Sequence, residues 1–423
     1  MDFSLPEHLT TLLGELDAFI EREIKPLEQQ DDNMRFFDHR REFARTDLEN
    51  GGAPAKDWEE LLAEMKRRAD KAGFLRYGLP EAIGGRGGGN LDMAVIREHL
   101  AHKGLGLHND LQNESSIVAN LPFALILHEF GTPEQRELIE GVITGEYSVA
   151  FGLTEPDHGS DATWLETTAV RDGSDFVING GKRFNSGMHE ATHDVVFART
   201  SGEDGKLKGI TAFLVPCETP GLTVDFHWWT FNMPSDHSEV TLKDVRVPES
   251  CILGELDDGM AIAMRFVHEN RIRQAASGVG AGQYCIDQAA AYAQARNTFG
   301  RPLAQRQAIQ WPLVELQTDA AMVRALVRQT AWQMDKGDPA AVSDAVSMCN
   351  YRGNRLACEA SDRAMQVHGG MGYTRAMPFE HIYRHHRRYR ITEGSEEIQI
   401  RNVAGHLFGF VETRRSAPKA AAS

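Results

Sequence analysis

The sequence has few cysteines and no long apolar run, and both features restrict what the protein can be. Its five cysteines are widely spaced, with no Cys-x-x-Cys pair and no Cys/His spacing typical of zinc, so neither a disulfide framework nor a metal site is predicted. No stretch reaches the about 18 consecutive apolar residues of a membrane-spanning helix, and the first residues are acidic and amphipathic. We therefore expect a cytoplasmic protein without a membrane span or a leader peptide.

The motifs of several enzyme classes are also missing. Residues 277–283, SGVGAGQ, end in glutamine where a dinucleotide-binding fingerprint has its third glycine, so a nicotinamide site of the doubly wound kind is not supported. The sequence contains no GxSxG motif of acyl hydrolases, and no predicted helix carries the HExxH motif of zinc peptidases, so neither chemistry is predicted. The glycine-rich residues 79–90 follow no predicted strand and contain no Gly-Lys-Ser/Thr, so we interpret them as an ordinary loop.

Positive charge is scarce as well. With 45 Lys and Arg against 61 Asp and Glu, the net charge is −16, which argues against general affinity for nucleic acid or anionic membranes. The main local exception is RHHRRYR at residues 384–390. Because the adjacent side chains of His385 and His386 do not converge on one metal ion, we interpret this cluster as solvated or phosphate-facing.

Hydrophobic periodicity divides the chain into three parts. Residues 1–147 are mostly helical in pattern, with apolar residues at helical spacing. Residues 148–254 consist of short β-rich runs separated by turns, and residues 255–412 return to helical composition before a short tail at 413–423. The pattern predicts an α+β protein in the order helices, β module, helices.

The most specific stretch is FGLTEPDHGSD at residues 151–161. Its Gly, Ser and Asp predict a turn that exposes backbone N–H groups and hydroxyls. Further stretches follow it in order: FVINGGKRFNSG (176–187), VTLKDVRVP (240–248), ARNTFGRPLAQRQAIQ (295–310), QVHGGMGYTRAMPFEHIYRH (366–385) and RITEGSEEIQIR (390–401). Together they resemble the acyl-CoA dehydrogenase family over nearly the whole chain.

This resemblance implies a fold, a cofactor and partners. The expected fold has an N-terminal helical domain, a central small β-barrel-like domain and a C-terminal four-helix bundle. The expected cofactor is FAD, and the expected reaction is α,β-dehydrogenation of an acyl-CoA thioester. An electron-transfer flavoprotein is the expected electron acceptor, and the chain is expected to form a homodimer or homotetramer without nucleic acid or membrane partners.

The resemblance also assigns residues of the β module. The positions that match the family's cofactor contacts are Leu153, Thr154, Ser160, Phe184 and Ser186. Phe184 is expected to pack on the flavin, where many relatives have Trp, and the Ser186 hydroxyl is expected to reach flavin N5. Ser160 and His237 are expected to contact the CoA part of the substrate.

In the C-terminal helices, further positions match cofactor contacts, some of them to a neighbouring subunit. These positions are Arg296, Phe299, Gln307, Gln366, Gly369, Gly370, Ser395 and Glu397. Arginine suits pyrophosphate because its guanidinium offers a charge-assisted fork of donors. Relatives often have Gln where this chain has Glu397, so a second carboxylate is expected near the cofactor.

Glu393 occupies the place of the catalytic base, followed by Gly394. Arg271 lies where the family keeps an arginine near the active-site floor, although an arginine on a helix surface is the alternative. Thr392 and Gly394 are expected to line the substrate site, and Thr392 replaces the Tyr of many relatives, which would open space beside the thioester.

Other interpretations stay open at the level of sequence. A flavin oxidase or monooxygenase of the same fold would use dioxygen, although the retained Glu393 favours desaturation. A noncatalytic nucleic-acid-binding relative is disfavoured by the charge of −16. A helical scaffold without cofactor leaves the ordered motifs unexplained. Residues 31–58 look like extra length relative to the family, and no role is assigned to them.

Overall fold

The computed structural model describes residues 4–38, 43–109, 115–337 and 339–410. Contacts divide the chain into two compact units, the first formed from residues 1–88 and 106–267 and the second from 89–105 and 268–423. The α+β class and the order helices, β module, helices are confirmed. The boundaries at 147 and 254 stay predictions, and the tail at 413–423 lies outside the described residues.

Helices dominate both ends of the chain. In chain order the α-helices of the described residues are α1 (Glu7–Phe19), α2 (Lys25–Gln29), α3 (Lys56–Lys71), α4 (Asn90–His102), α5 (Pro122–Phe130), α6 (Pro133–Arg136), α7 (Ile139–Thr144), α8 (Met260–Ala295), α9 (Gln307–Lys336), α10 (Ser343–His368), α11 (Phe379–Tyr389) and α12 (Glu396–Leu407). A π-helical turn, Ile20–Ile24, joins α1 to α2. Among the described residues, no helix has both the length and the hydropathy to cross a bilayer.

The strands lie mainly between α7 and α8. In chain order the described strands are β1 (Thr46–Asp47), β2 (Ala53–Pro54), β3 (Val149–Gly152), β4 (Thr168–Asp172), β5 (Asp175–Ser186), β6 (His193–Arg199), β7 (Ile210–Pro216), β8 (Leu222–His227), β9 (His237–Pro248), β10 (Ile252–Leu253), β11 (Asn297–Thr298) and β12 (Arg301–Pro302). One sheet has the order β10-β7-β6-β3-β5-β9-β8, with β4 paired to β5 and β6.

Strands β6 and β7 are buried on both faces of this sheet. Val195 and Phe197 pack with apolar residues of α5 and α7, whereas Val196 and Ala198 pack with the apolar residues of β5 and β9. A strand with two buried faces needs apolar residues at successive positions rather than at alternate ones. This requirement explains the continuous apolar run of β6 and places the core of the first unit on both sides of the sheet.

Residues 31–58, which were predicted to be extra length relative to the family, also belong to the first unit. Strands β1 and β2 pair with each other, and Ser235 N donates to Gly52 O at 2.9 Å. Arg45 lies over the ring of Trp58, with its guanidinium carbon 4.2 Å from the centroid. Part of the segment, residues 39–42, lies outside the described residues. The described part therefore packs against the loop that precedes β9.

The second unit contains α4 with the C-terminal helices. The N-terminus of α4 is capped by Asp335 of α9, whose carboxylate accepts from Asn90 N at 2.7 Å and from Leu91 N at 3.0 Å. Helices α8 and α10 approach closely, since a Cβ on Gly278 would lie 2.5 Å from the carbonyl oxygen of Gly353. Helix α4 therefore belongs to the second unit rather than to the first.

The interpretation of residues 384–390 as a solvated or phosphate-facing basic cluster is wrong for its histidines. His385 and His386 are buried on α11, next to Ile382 and Tyr389, on the side of the helix that packs in the second unit. Burial lowers the pKa of His386 to about 3, so its ring is neutral. The arginines of this segment made it look uniformly basic in sequence. The helix is amphipathic, and its arginines lie outside this buried face.

Candidate active site

Three strand ends in the first unit bring predicted cofactor residues together. Ser186, the last residue of β5, is paired with Phe151 of β3 on one side and with His237 of β9 on the other. The chain leaves β3 at Gly152 and enters the predicted cofactor loop, residues 153–161. Because β3 and β5 are antiparallel, the start of this loop runs along the end of β5, while His237 lies on the other side of β5.

A buried ion pair holds the beginning of the loop. Lys182 Nζ is 2.7 Å from Glu155 Oε1, and both side chains are almost fully buried. Lys182 Nζ also donates to Leu153 O at 3.4 Å, while Arg183 N donates to Thr154 O at 2.9 Å. The carbonyl groups of the two predicted cofactor residues Leu153 and Thr154 are thus fixed to β5.

The carboxylate of Glu155 also anchors the chain that follows the loop. It accepts hydrogen bonds from Glu166 N at 2.5 Å and from Thr167 N at 3.0 Å. Burial opposes its ionisation, but the charge of Lys182 and these hydrogen bonds hold the pKa of Glu155 below its usual range. Burial lowers the pKa of Lys182, and the charge of Glu155 counteracts that effect. The start of the loop and the chain that follows the loop therefore both depend on one ion pair, which the motifs did not predict.

A second buried carboxyl group lies beside this pair. Asn185 Nδ2 donates to Asp194 Oδ2 at 2.7 Å, and burial raises the pKa of Asp194 to about 7, against the opposing charge of Lys182. A Cβ on Gly152 would lie 3.0 Å from the Asn185 amide nitrogen and from an Asp194 oxygen. The close approach of these polar groups therefore favours glycine at the end of β3.

The side chains around Ser186 face outward from the first unit. Phe184 is 49% exposed and has a φ of 62°, which a non-glycine residue seldom adopts. Its ring centroid lies 5.9 Å from that of Trp228. Ser186 and Ser160 are exposed, and His237 is half-buried. An aromatic ring and hydroxyl groups are thus presented where the motifs predict a flavin.

In the second unit, the loop between α11 and α12 brings Glu393 and Arg271 together. Arg271 Nε donates to the backbone carbonyl of Glu393 at 2.8 Å, and Gln399 Nε2 donates to the same oxygen at 3.2 Å. Burial lowers the pKa of Arg271, and the charge of Glu393 counteracts this effect. Arg271 is therefore a half-buried residue that holds the predicted base, not an arginine of the helix surface.

The backbone at this loop is in an unusual conformation. Glu393 has a φ of 56° and Gly394 a φ of 83°, both in the left-handed region. Such a conformation costs a non-glycine residue about 1–3 kcal/mol and persists only where the surroundings impose it. The φ of Gly394 would strain any other residue, and a Cβ there would lie 2.7 Å from Arg271 Nη2, so both features favour glycine. Two side chains fix the Glu393 carbonyl in this strained position.

The next turn contains a residue that the motifs did not identify. Glu396 is buried and accepts from Arg355 Nη2 at 2.6 Å and from Arg390 Nε at 2.8 Å. These hydrogen bonds lower the pKa of Glu396 to about 2, against the effect of burial. Glu397, which was predicted near the cofactor, is exposed, as expected for the other side of a helical turn. The two adjacent glutamates have different environments that the sequence does not distinguish.

Six further predicted cofactor residues of the second unit are exposed, whereas Ser395 is half-buried. Arg296 and Phe299 belong to the β11–β12 hairpin, and Gln307 begins α9. The side chain of Phe299 is 97% exposed, with a φ of 51°. Gln366, Gly369 and Gly370 lie exposed at the end of α10. These residues therefore present donors and an apolar ring at the surface of the second unit.

One group of possible metal ligands occurs among the described residues, although no metal site was predicted. Glu59, His189 and Glu190 place one ligand atom each within 4.8 Å of one another. Glu59 Oε1 and His189 Nε2 are 2.6 Å apart, and Glu190 is exposed. The hydrogen bond between Glu59 and His189 accounts for their proximity without an ion.

Models of one protein family describe most of the chain. The model for the acyl-CoA dehydrogenase N-terminal domain matches residues 30–146, the middle-domain model matches 150–245, and the C-terminal-domain model matches 257–408. The sequence motifs between residues 151 and 401 fall inside the second and third of these ranges, except that residues 246–248 lie just beyond the second.

Individual relatives agree with these models. The 3-(aryl)acrylate reductase of Clostridium sporogenes is 33% identical over 376 residues, covering 87% of this chain and 96% of the relative. The acryloyl-CoA reductase (NADH) of Anaerotignum propionicum is 32% identical over 403 residues, 94% of each chain. Among solved structures, butyryl-CoA dehydrogenase from Megasphaera elsdenii has a TM-score of 0.79 at 27% identity and covers 96% of this chain and 100% of that chain.

Proposed function

Because the chain belongs to the acyl-CoA dehydrogenase family, whose members are oxidoreductases acting on acyl-CoA, we propose that it desaturates an acyl-CoA thioester with FAD as hydride acceptor. The observation that carries this proposal is the position of Glu393. Its backbone is held in a strained conformation by Arg271 and Gln399, in the motif where the family has its base. Strain of this kind often accompanies a functional residue.

The chemistry requires a base held in a defined place. The α proton of an acyl thioester is very weakly acidic, so the β hydride leaves only when that proton is removed as well. Glu393 is the proposed base, and Arg271 restricts its backbone so that the carboxylate is presented from a fixed position. Entry of an acyl chain would displace water from the carboxylate, which raises its pKa towards the range of a general base. When bound, FAD supplies the hydride acceptor.

The donors in each unit fit this cofactor. In the first unit, the exposed Phe184 ring and Ser186 hydroxyl suit a flavin ring that needs an apolar face and a hydrogen bond. In the second unit, Arg296 offers a guanidinium group to a pyrophosphate, and Phe299 offers a ring to an adenine. These roles are proposals that rest on residue chemistry, exposure and the family motifs.

A panel of thioesters tests the function. The purified protein is expected to be yellow and to lose its visible flavin absorption when mixed, without dioxygen, with at least one straight, branched, cyclic or aromatic acyl-CoA. A protein that binds no flavin after addition of FAD contradicts the proposed cofactor. Rapid reoxidation by dioxygen, in place of an electron-transfer flavoprotein, would favour an oxidase instead.

The same site also suits the reverse reaction. Two of the relatives are named as reductases of unsaturated acids or thioesters, and the residues that stabilise one transition state stabilise it in both directions. The direction is tested by adding an enoyl-CoA to the reduced protein without dioxygen. Reoxidation of the flavin by enoyl-CoA that is faster than its reduction by the saturated thioester would favour a reductase.

We further propose that the cofactor site includes a neighbouring subunit, because Phe299 is almost fully exposed in the single chain. Arg296→Ala should weaken FAD retention and oligomer stability together, since a ligand that binds only the assembled form stabilises it by mass action. Flavin content and sedimentation of the same samples measure both. Arg301→Ala, an exposed arginine of the same hairpin, is the control. A wild-type monomer that retains full FAD contradicts this proposal.

The proposed substrate is bulkier than a straight chain, because Thr392 is exposed and occupies the place of a family Tyr. Thr392→Tyr should depress kcat/KM for branched or cyclic acyl-CoAs more than for butanoyl- or octanoyl-CoA, since filling the space removes contacts worth about 0.8 kcal/mol per methylene. Thr392→Ser keeps the space and should leave the preference unchanged. Equal losses for both classes of thioester would refute the assignment.

A further inference from the structure

His237 is the side chain that contacts the predicted flavin-facing serine, Ser186. It begins β9 directly opposite Ser186, and its Nδ1 lies 2.8 Å from the Ser186 hydroxyl oxygen. Its Nδ1 also lies 3.2 Å from Asp236 Oδ1. The Ser186 hydroxyl lies 3.3 Å from the backbone carbonyl of Phe184. A serine predicted to contact the cofactor therefore has two hydrogen-bond partners inside the protein.

These partners determine where the Ser186 proton points. A hydroxyl group has one proton and two lone pairs. If His237 carries its proton on Nδ1, that proton is shared between Ser186 and Asp236. Ser186 then accepts a hydrogen bond from His237 and donates one to the Phe184 carbonyl. With the proton on Nε2 instead, the serine donates to Nδ1. In either tautomer the serine proton points into the protein, and an oxygen lone pair faces outward from the exposed hydroxyl.

We propose that His237 is a positioning residue that makes the Ser186 oxygen a hydrogen-bond acceptor towards the flavin. This inference rests on the proposed function. An oxidised flavin has a bare nitrogen at N5, whereas the reduced form carries an N–H there. An outward lone pair favours the form that donates a hydrogen bond, so His237 stabilises the reduced cofactor relative to the oxidised one.

The sheet provides a matched control. His227 of β8 lies opposite Ser238 of β9, with its Nδ1 2.9 Å from the Ser238 hydroxyl oxygen. Ser238 is fully buried, so its hydroxyl is not offered to a ligand from outside. His227→Leu therefore removes a histidine–serine hydrogen bond from the same sheet without changing the exposed hydroxyl of Ser186.

The experiment compares the affinities of the apoprotein for oxidised FAD and, without dioxygen, for reduced FAD. Loss of one hydrogen bond changes a binding constant by about three- to tenfold. His237→Leu should lower the affinity for reduced FAD relative to oxidised FAD by this factor. His237→Asn, which keeps a polar atom near the position of Nδ1, should restore most of the difference, and His227→Leu should match the wild type.

A double-variant cycle separates this role from general stability. In a Ser186→Ala background, His237→Leu should have no further effect on the ratio of the two affinities, because the group through which it acts is gone. An unchanged ratio in His237→Leu, or an equal change with and without Ser186, would overturn the inference alone. A wild-type protein that binds neither form of FAD would instead overturn the proposed function and the inference with it.

Discussion

Glu393→Gln should lose at least about 10²-fold in the rate of flavin reduction by acyl-CoA while retaining FAD and binding the thioester. The glutamine amide keeps the shape and hydrogen-bonding capacity of the glutamate side chain. The backbone carbonyl of residue 393 still accepts hydrogen bonds from Arg271 and Gln399. Only the basicity is removed. Stopped-flow absorbance without dioxygen measures the reduction, and a separate titration measures thioester binding.

Glu359→Gln is a suitable control for this variant. Glu359 is an exposed glutamate of α10 in the same unit, so the change removes one negative charge without altering the Glu393 loop. This control should reduce its flavin at the wild-type rate. Near wild-type reduction by Glu393→Gln would show that another group removes the α proton.

Lys182→Met should lower the free energy of unfolding by about 3–5 kcal/mol, because it leaves the buried Glu155 carboxylate without its partner. Glu155 and Lys182 lie 2.7 Å apart at almost no exposure. The loop that starts at Leu153 should lose its anchor, so FAD retention should fall as well. Urea unfolding of the apoprotein, with the midpoint and slope compared, measures the stability separately from the cofactor.

Two variants make this prediction decisive. Lys208→Met removes an exposed pair with Asp258 and should leave the free energy of unfolding close to that of the wild type. Glu155→Gln combined with Lys182→Met should recover much of the loss, because no charge of the pair is then left buried. Equal unfolding free energies for Lys182→Met and Lys208→Met would show that the buried pair does not stabilise the protein.

Much of the local architecture could be predicted from the sequence. The turn at residues 153–161 and the loop around Glu393 carry short motifs whose residue types determine local conformation, such as Gly394 at a φ of 83°. The apolar runs of β6 and β7 predicted strands because β-branched and aromatic residues recur in them. Local structure can be predicted where the residues that determine it are close together in the sequence.

Long-range partners could not be predicted in the same way. Glu155 and Lys182 are 27 residues apart, and only the pairing of β3 and β5 brings their ends together. His386 lies among arginines in the sequence, which favoured a solvated or phosphate-facing position. In the structure it lies on the buried face of α11. Glu396 and Glu397 have the same side chain, but their different directions on α12 make one buried and the other exposed. Each of these differences depends on tertiary packing rather than on residue type.

The most direct test of the central claim uses a reactive thioester deuterated either at the α carbon or at the β carbon, in a single turnover without dioxygen. The account predicts that each deuterated substrate reduces the flavin more slowly than the unlabelled one, because the α proton goes to Glu393 and the β hydride goes to the flavin. The product should be the α,β-unsaturated thioester, formed in an amount equal to the reduced flavin. Flavin reduction with no isotope effect from either carbon, and without an unsaturated product, would contradict the account.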